Sequence, residues 1–372
     1  HARDSPWASR PHIAHKAIRG TSKDDDVFDV RIVGDYVYVN SQIQRGQPNN
    51  NDAYSQILHA AGKHAYWYTD GDQQYQGWTL EEGSRNTLAV WTPIGLLRPT
   101  RLQFGETNAG IVTQGDVTIM LDRDLSPEHR ANIINGADDF TGFADHVIRD
   151  DGTVEIDWMK LAKSFIAMIE MADKNDMSLK ASKTFFGSPE ADFWGHTLDK
   201  DGHRAAIHNL DPIQKMVPPE NISELRRVLG LMVQHKDSIP SWAFDARPLH
   251  ELTRKNVEWE WTDERNKAFE LLRDACLANR ILAAPDYQKP FRVGCDASDD
   301  GKGVQLYQLT DLAKPDTPNN RNTIAYYSKS WSPAMSKRPP YYKEADVLIT
   351  GLTLARPYAD ASKFPIKAIT DH

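Results

Sequence analysis

Apolar positions alternate with polar ones early in the chain and later fall into helical spacing. Val30 to Asn40 (VRIVGDYVYVN) is β-branched and aromatic and predicts a strand running into a turn. Gln47 to Asp52 reads as a loop, and His64 to Tyr68 and Thr87 to Thr92 as two further strands. Residues 131–145 (ANIINGADDFTGFAD) predict a hairpin with two carboxylates near its centre. From Asp157 to Ala172 the residues Trp158, Leu161, Ala162, Phe165, Ile169 and Ala172 recur at helical spacing. A second helix starts near the cap candidate Asn221, with Glu224 three residues on and Leu225, Val228, Leu229 and Met232 as its stripe. A third follows Thr262, carrying Ala268, Phe269, Leu272, Ala275 and Cys276 on one face. Strands then dominate (Phe291 to Cys295, Gly303 to Leu309, Thr323 to Tyr327), followed by a helix from about Tyr342 to Ala355 and the strand-like IKAIT. The order is mixed α+β, then helical, then strand-rich, which sets expected boundaries near residues 205 and 286.

Composition narrows this little. A length of 372 residues calls for two or three domains, and 40% hydrophobic with 26% charged residues is ordinary for folded protein. No apolar run approaches the roughly 18 residues of a membrane span, so no membrane role is expected. The first residues carry no basic-then-apolar signal pattern. Two cysteines, Cys276 and Cys295, make neither a disulfide framework nor a zinc spacing, which fits a reducing intracellular setting. The net charge of -8 runs against nucleic-acid binding, although local distribution matters more than the sum.

The chemistry-bearing candidates are acidic. Nucleotidyl transfer asks little covalent help of protein: two divalent cations activate the attacking hydroxyl and stabilise the leaving group. Magnesium takes oxygen ligands and keeps several waters, so two or three aspartates suffice. Paired aspartates by themselves usually mark a solvated turn, and the chain has others at Asp150–Asp151 and Asp299–Asp300. Asp138–Asp139 stands apart by lying in a strand–turn–strand pattern, and Asp70 by ending the aromatic extended run HAYWYTD.

In order along the chain, Ser5-Pro-Trp-Ala-Ser9, Asp35-Tyr36 with Asn40, Thr69-Asp70 with Tyr75-Gln76, and Phe104-Gly105 with Asn108-Ala109 and Gln114 resemble blocks of the gypsy-type LTR-retrotransposon reverse transcriptase. The same holds for Gly136-Ala137-Asp138-Asp139, Lys183, Phe193-Trp194-Gly195-His196, Leu225-Arg226 with Leu229-Gly230-Leu231, and Trp261-Thr262. The resemblance implies an α+β multidomain right-hand polymerase: fingers and palm over 1–205, a helical thumb or connection over 206–285, and an RNase H-like α/β domain from 286. It implies that Asp70, Asp138 and Asp139 bind the metals and that Tyr75 is the steric gate against a 2′-hydroxyl. Arg31 would hold the triphosphate, with Lys16, Arg19 or Lys23 assisting, and Gln114 would contact the nucleotide. Lys183 would donate a proton to pyrophosphate, and Trp194, Gly195 and His196 would grip the primer. Two residues depart from the family pattern: Gly136 stands where an aromatic is usual, and Val37 where an arginine is.

The stretch VGCDASDDGKGVQLYQL resembles the family's first RNase H strand, which makes Asp296 an acidic ligand there. Tyr341 to Ala355 resembles the family helix and points to Glu344, and Thr370-Asp371-His372 to Asp371. With His372 last, the domain is expected to be truncated, short of its remaining helices and last acidic ligand, with a poorly covered sheet and little or no RNase activity.

The implied function is RNA-directed DNA polymerase with attached RNase H. Its cofactor would be Mg2+, two ions per active site, with Mn2+ as a substitute. Its partners would be an RNA or DNA template with primer, dNTPs, other segments of a pol polyprotein, and in some readings a second copy. Its place would be a cytoplasmic virus-like particle or the nucleus. The alternative is a domesticated or decayed relative that binds nucleic acid or partners without polymerising; Gly136, Val37 and the acidic balance leave it open.

Overall fold

The structure, a computed structural model, describes residues 5, 7–17, 28–47, 53–136 and 138–370, the side chains of 14–17, 28–32 and 359 excepted. The chain divides into two compact units, His1–Gln56 with Ala65–Ser188, and Ile57–His64 with Pro189–His372. Both expected boundaries, near 205 and 286, fall inside the second unit.

In the first unit, strands β1 (Pro11–Ala17) and β2 (Phe28–Gly34) form an antiparallel ribbon. The expected strand through Asn40 stops at Gly34, and Val37–Gln42 is a helix, α1. Val39 of that helix is buried, while Val37 and Tyr38 face solvent, a helical rather than a pleated pattern. Thr87 likewise ends a helical turn, and the strand expected from it spans only Val90–Thr92.

The unit's principal sheet is built from β3 (Ala65–Asp70), β4 (Ile133–Asn135), β5 (Asp139–Ala144) and β6 (Phe185–Ser188), in the order β6-β3-β5-β4 and all antiparallel. Two helices cover one face, α2 (Ala109–Asp124) and α3 (Trp158–Lys174). Because side chains alternate across a strand, Ala65 and Trp67 of β3, with Phe140 and Ala144 of β5, turn into the core with Val117, Leu121, Leu161 and Met168 from the helices. The Trp67 indole N–H donates to Ser164 Oγ of α3 at 2.8 Å. Its ring lies over Gly142, the residue opposite it on β5, where a Cβ would come within 2.1 Å of ring carbon Cε2. Glycine here is a matter of room rather than backbone freedom. Helix α3 is capped by Asp157, which accepts from the Lys160 N–H.

The second unit begins with an antiparallel three-stranded sheet, β7 (Ala191–Phe193), β8 (His196–Asp199) and β9 (Gly202–Ala205). A helical core follows around α4 (Ile222–Met232) and α5 (Asp263–Leu277), which bury Leu225, Leu229, Met232, Phe269, Leu272 and Cys276. The predicted cap Asn221 accepts from the Glu224 N–H, and Thr262, which the third helix follows, accepts from the Arg265 N–H. Last come β10 (Arg292–Ala297), β11 (Gly301–Leu309), β12 (Arg321–Ser330), helix α6 (Pro340–Ala359) and β13 (Lys367–Ile369). Their sheet runs β12-β11-β10-β13; β13 joins β10 in parallel and the other pairs are antiparallel. Helix α6 packs Val347 and Ala355 against Val293, Cys295, Val304 and Leu306 on one face. Both cysteines are free and buried. No described helix is long and apolar enough to cross a membrane.

Candidate active site

Asp70 ends β3 and Asp139 begins β5, and the register sets them directly opposite each other. Alternation puts Asp70 on the face of Tyr68, and Asp139 on that of Thr141, away from the helix-covered core. Opposed residues in an antiparallel pair have Cβ atoms about 4.5–5.5 Å apart, so two carboxylates share one end of the sheet. Asp138 precedes Asp139 in the turn, and its carbonyl accepts the Gly71 N–H at 2.6 Å. The Lys180 N–H donates to the Asp70 carbonyl at 2.8 Å and the Gly136 N–H to the Asp139 carbonyl at 2.8 Å. The three acidic residues therefore stand on backbone tied from both sides.

Their electrostatics follow. Burial, and then the charge of Asp138, pushes the Asp139 carboxyl up from its ordinary value to about 6. Asp70 has a counter-ion: Lys183, on the short turn Ala181–Lys183, bonds its carboxylate. The three carboxylates are not drawn into one knot. Among the described residues, the oxygens of Asp70, Asp138 and Asp139 do not all lie within 4.8 Å of one another. The donors present are hard oxygens without thiol or imidazole, which suits magnesium or manganese.

Tyr75 sits on a helical turn, Gln74–Gly77, entered through Gln73 in the left-handed region (φ 49). Its ring meets Phe104 edge-on, with centroids 5.0 Å apart. Gly110 of α2 is close by, since a Cβ there would lie 3.6 Å from the Tyr75 hydroxyl. The Tyr75 hydroxyl is raised in pKa by burial and then by the charge of Asp138, so it lies in the field of the carboxylates. Gln114 is half-buried one turn beyond Gly110 on α2. Sequence reasoning passed over Gln74, which is 9% exposed and whose amide N and O have no hydrogen-bond partner. It packs on Gly71, where a Cβ would come within 2.7 Å of its Cγ. Within the run QQYQ nothing but the fold distinguishes it. Arg31 stands in β2 opposite Ala14 and Lys16 in β1 opposite Asp29; their side chains, like Arg19 and Lys23, lie outside the described residues.

In the second unit, Trp194 (φ 48) and Gly195 (φ 77) are the two left-handed residues of the tight turn joining β7 to β8. A bulky residue in that region is unusual. The turn is held by two donors to the Gly195 carbonyl, the Ala206 N–H at 2.9 Å and Asn209 Nδ2 at 3.0 Å. It leaves the Trp194 ring 48% exposed. His196 follows with its ring 5.4 Å from that of His203, and burial lowers the pKa of both.

The second acidic set gathers at one end of the β10 sheet. Asp296 is exposed near the end of β10, and Glu344 lies in the first turns of α6. The Cys295 thiol, next to Asp296, is raised by burial and then by the charge of Glu344. Thr370 Oγ1 donates to Glu344 Oε2 at 3.4 Å, and β13, which leads to Thr370, lies beside β10. Asp371 itself lies outside the described residues. A groove of about 590 Å3 opens on the sheet face away from α6, lined among others by Asp296, Gln305, Arg321, Tyr326 and Thr370.

Comparison with known proteins extends this geometry. Residues 261–366 match the family described as "RNase H-like domain found in reverse transcriptase". The Transposon Tf2-3 and Tf2-4 polyproteins of Schizosaccharomyces pombe are each 27% identical over 218 residues, which cover 59% of this chain and 16% of each polyprotein. The chain thus spans about one sixth of the length of these relatives. Among solved structures, foamy viral protease-reverse transcriptase dRH in complex with ds DNA matches with TM-score 0.77 at 19% identity, over 98% of this chain and 58% of that one. The same viral protein in complex with RNA/DNA hybrid matches with TM-score 0.74 at 18% identity, over 99% and 46%. The chain therefore shares its fold with the matched part of a viral protease-reverse transcriptase and carries, over residues 261–366, an RNase H-like domain of the kind found in reverse transcriptases.

Proposed function

We propose that the chain is the polymerase and RNase H portion of a gypsy-type LTR-retrotransposon polyprotein, an RNA-directed DNA polymerase. The observation that carries this reading is the register that sets Asp70 opposite Asp139, with Asp138 in the adjoining turn. These three would hold the divalent ions, Mg2+ or Mn2+, which when bound activate the primer 3′-hydroxyl and stabilise the leaving pyrophosphate. Burial, and then the charge of Asp138, raises the Asp139 carboxyl, and a cation bound there would favour its charged form.

The chain's own residues do the positioning. Tyr75, fixed by Phe104 and the bare Gly110, presents a ring edge on which a 2′-hydroxyl would clash. Gln114 would touch the nucleotide, Arg31 its triphosphate, and Lys183 would lend a proton to the leaving group. The Trp194-Gly195-His196 turn would hold the primer end. Asp296 and Glu344, with Asp371, would form the RNase H set. Template with primer and dNTPs are the proposed partners; foamy viral structures in complex with ds DNA and RNA/DNA hybrid support the first of these.

The test is primer extension on poly(rA)/oligo(dT) with magnesium, comparing the chain with its Asp138→Asn, Asp139→Asn double variant. Extension by the parent, lost in the variant, is expected. A folded parent that binds template–primer and extends nothing would instead fit a domesticated or decayed binding protein.

A further inference from the structure

The first unit holds a pocket of about 580 Å3 between the end of β2, the turn Gln74–Gly77, the hairpin of Val90–Thr92 with Gly95–Leu97, and the segment that follows it. Thirteen residues line it and none is aspartate or glutamate, in a chain of net charge -8. Two are exposed arginines, Arg98 and Arg101. They donate to neutral oxygens: Arg98 Nη1 to Asn86 Oδ1 at 3.0 Å, and Arg101 Nη1 to the Gly77 carbonyl and to Thr79 Oγ1, both at 2.9 Å. Neither takes part in an ion pair among the described residues.

The backbone that carries them is tied down. The Leu80 N–H donates to the Thr100 carbonyl and the Leu102 N–H to the Trp78 carbonyl, each at 2.9 Å. Pro99, between the two, has its φ fixed by its ring. The pair is therefore set before any ligand arrives, and the planar guanidinium fork suits phosphate oxygens. Gln73, Gln76 and Gln103 add amides that both donate and accept.

The lining also says what does not fit. A divalent ion finds no carboxylate there. A nucleic-acid strand would want exposed rings on which bases stack, whereas the one aromatic residue of the lining, Tyr36, is 2% exposed. The volume suits a small ligand, for which pockets run to roughly 300–1,000 Å3. Gln73 and Gln76 lie in sequence on either side of Tyr75, and Gln103 precedes Phe104, yet the lining includes neither of those rings nor Asp70, Asp138 or Asp139.

We propose that this pocket binds a small polyphosphate anion, such as a nucleoside triphosphate, through Arg98 and Arg101, apart from the acidic site and without a divalent ion.

The test is equilibrium dialysis of the whole chain in EDTA against dATP or inorganic tripolyphosphate. Without metal, the carboxylates of Asp70, Asp138 and Asp139 repel both anions, so binding reads the pocket. Both are expected to bind, and the Arg98→Gln, Arg101→Gln variant should lose about tenfold or more, because hydrogen bonds to charged groups are among the strong ones. The Arg98→Lys, Arg101→Lys variant keeps the charge and should lose less. Equal affinities would assign the site to the phosphate chain alone, and tighter binding of dATP to the whole nucleotide. Photolabelling of the parent with 8-azido-dATP should mark residues 73–76 or 90–103, a readout that does not depend on any variant folding. Unchanged affinity in a folded glutamine variant, label confined to other residues, or no metal-free binding by the parent would overturn the site. Displacement of dATP by single-stranded DNA at equal phosphate concentration would overturn it in favour of a strand groove. Each of these outcomes leaves the polymerase reading to be decided by primer extension alone.

Discussion

Lys183 is engaged with the Asp70 carboxylate, where a metal ion would otherwise compete. The lysine is about half exposed, so the pair is screened and worth at most about 1 kcal/mol. Lys183→Met should therefore tighten Mn2+ binding by about two- to fivefold, read by titration of the free ion; unchanged or weaker binding would mean that Lys183 does not compete for Asp70. His203 gives a second prediction. It is 1% exposed, and burial followed by the charge of His196 lowers its pKa from 6.5 to about 3. A base with a depressed folded pKa stays neutral in the fold but takes a proton when unfolded. Stability should hold above pH 6.5 and decline as pH falls from there toward 3. Between pH 6.5 and 5 the loss should be about 2 kcal/mol, from 1.36 kcal/mol per unit, and urea unfolding of the parent and His203→Phe should show the slope flattened in the variant.

Elements were legible where packing and periodicity agreed. Helices α4 and α5 bury the stripes their spacing marks; α3 is a helix as expected, but it buries Leu161, Ser164, Ala167, Met168, Met171 and Ala172 and leaves Trp158 and Ile169 of the marked stripe exposed. Asp157, Asn221 and Thr262, at their starts, each accept an amide N–H. Helix α2 was not legible. It buries Ala109, Thr113, Gly115, Val117 and Leu121 while exposing Val112 and Ile119, so its buried face contains polar and small residues and its outer face contains apolar ones. The helix exists because the sheet lies beneath it. At the same scale, the Trp67–Gly142 contact joins two strands and α3. Gly142→Ala should cost about 1–3 kcal/mol by overpacking in thermal unfolding. A Trp67→Phe, Gly142→Ala double variant should recover part of that loss, since the atoms that clash belong to the indole. Additive losses would show that the two residues do not press on each other.

At the scale of the whole molecule, the two acidic sets lie in different compact units. Their failures should therefore separate. Asp138→Asn should abolish primer extension and leave hybrid binding by the second unit intact, whereas Asp296→Asn should leave extension intact. A loss of extension in Asp296→Asn, with folding retained, would mean that the two sites are not independent.

Much that is local was settled along the chain, α1 and α2 excepted. Strand alternation through AYWYTD and DFTGFA, helical stripes and caps all follow from steric preferences and hydrogen bonds within a few residues, and the blocks of acidic and aromatic residues stand in order without any fold to arrange them. Tertiary packing set the rest: the register that places Asp70 against Asp139, the approach of Lys183 to Asp70, and the burial of Gln74 against Gly71. These depend on which distant segments pair and how their side chains interlock. A one-residue slip in β5 would have turned Asp139 into the core, and nothing local to either strand forbids it; the close fit of Trp67 over Gly142 does.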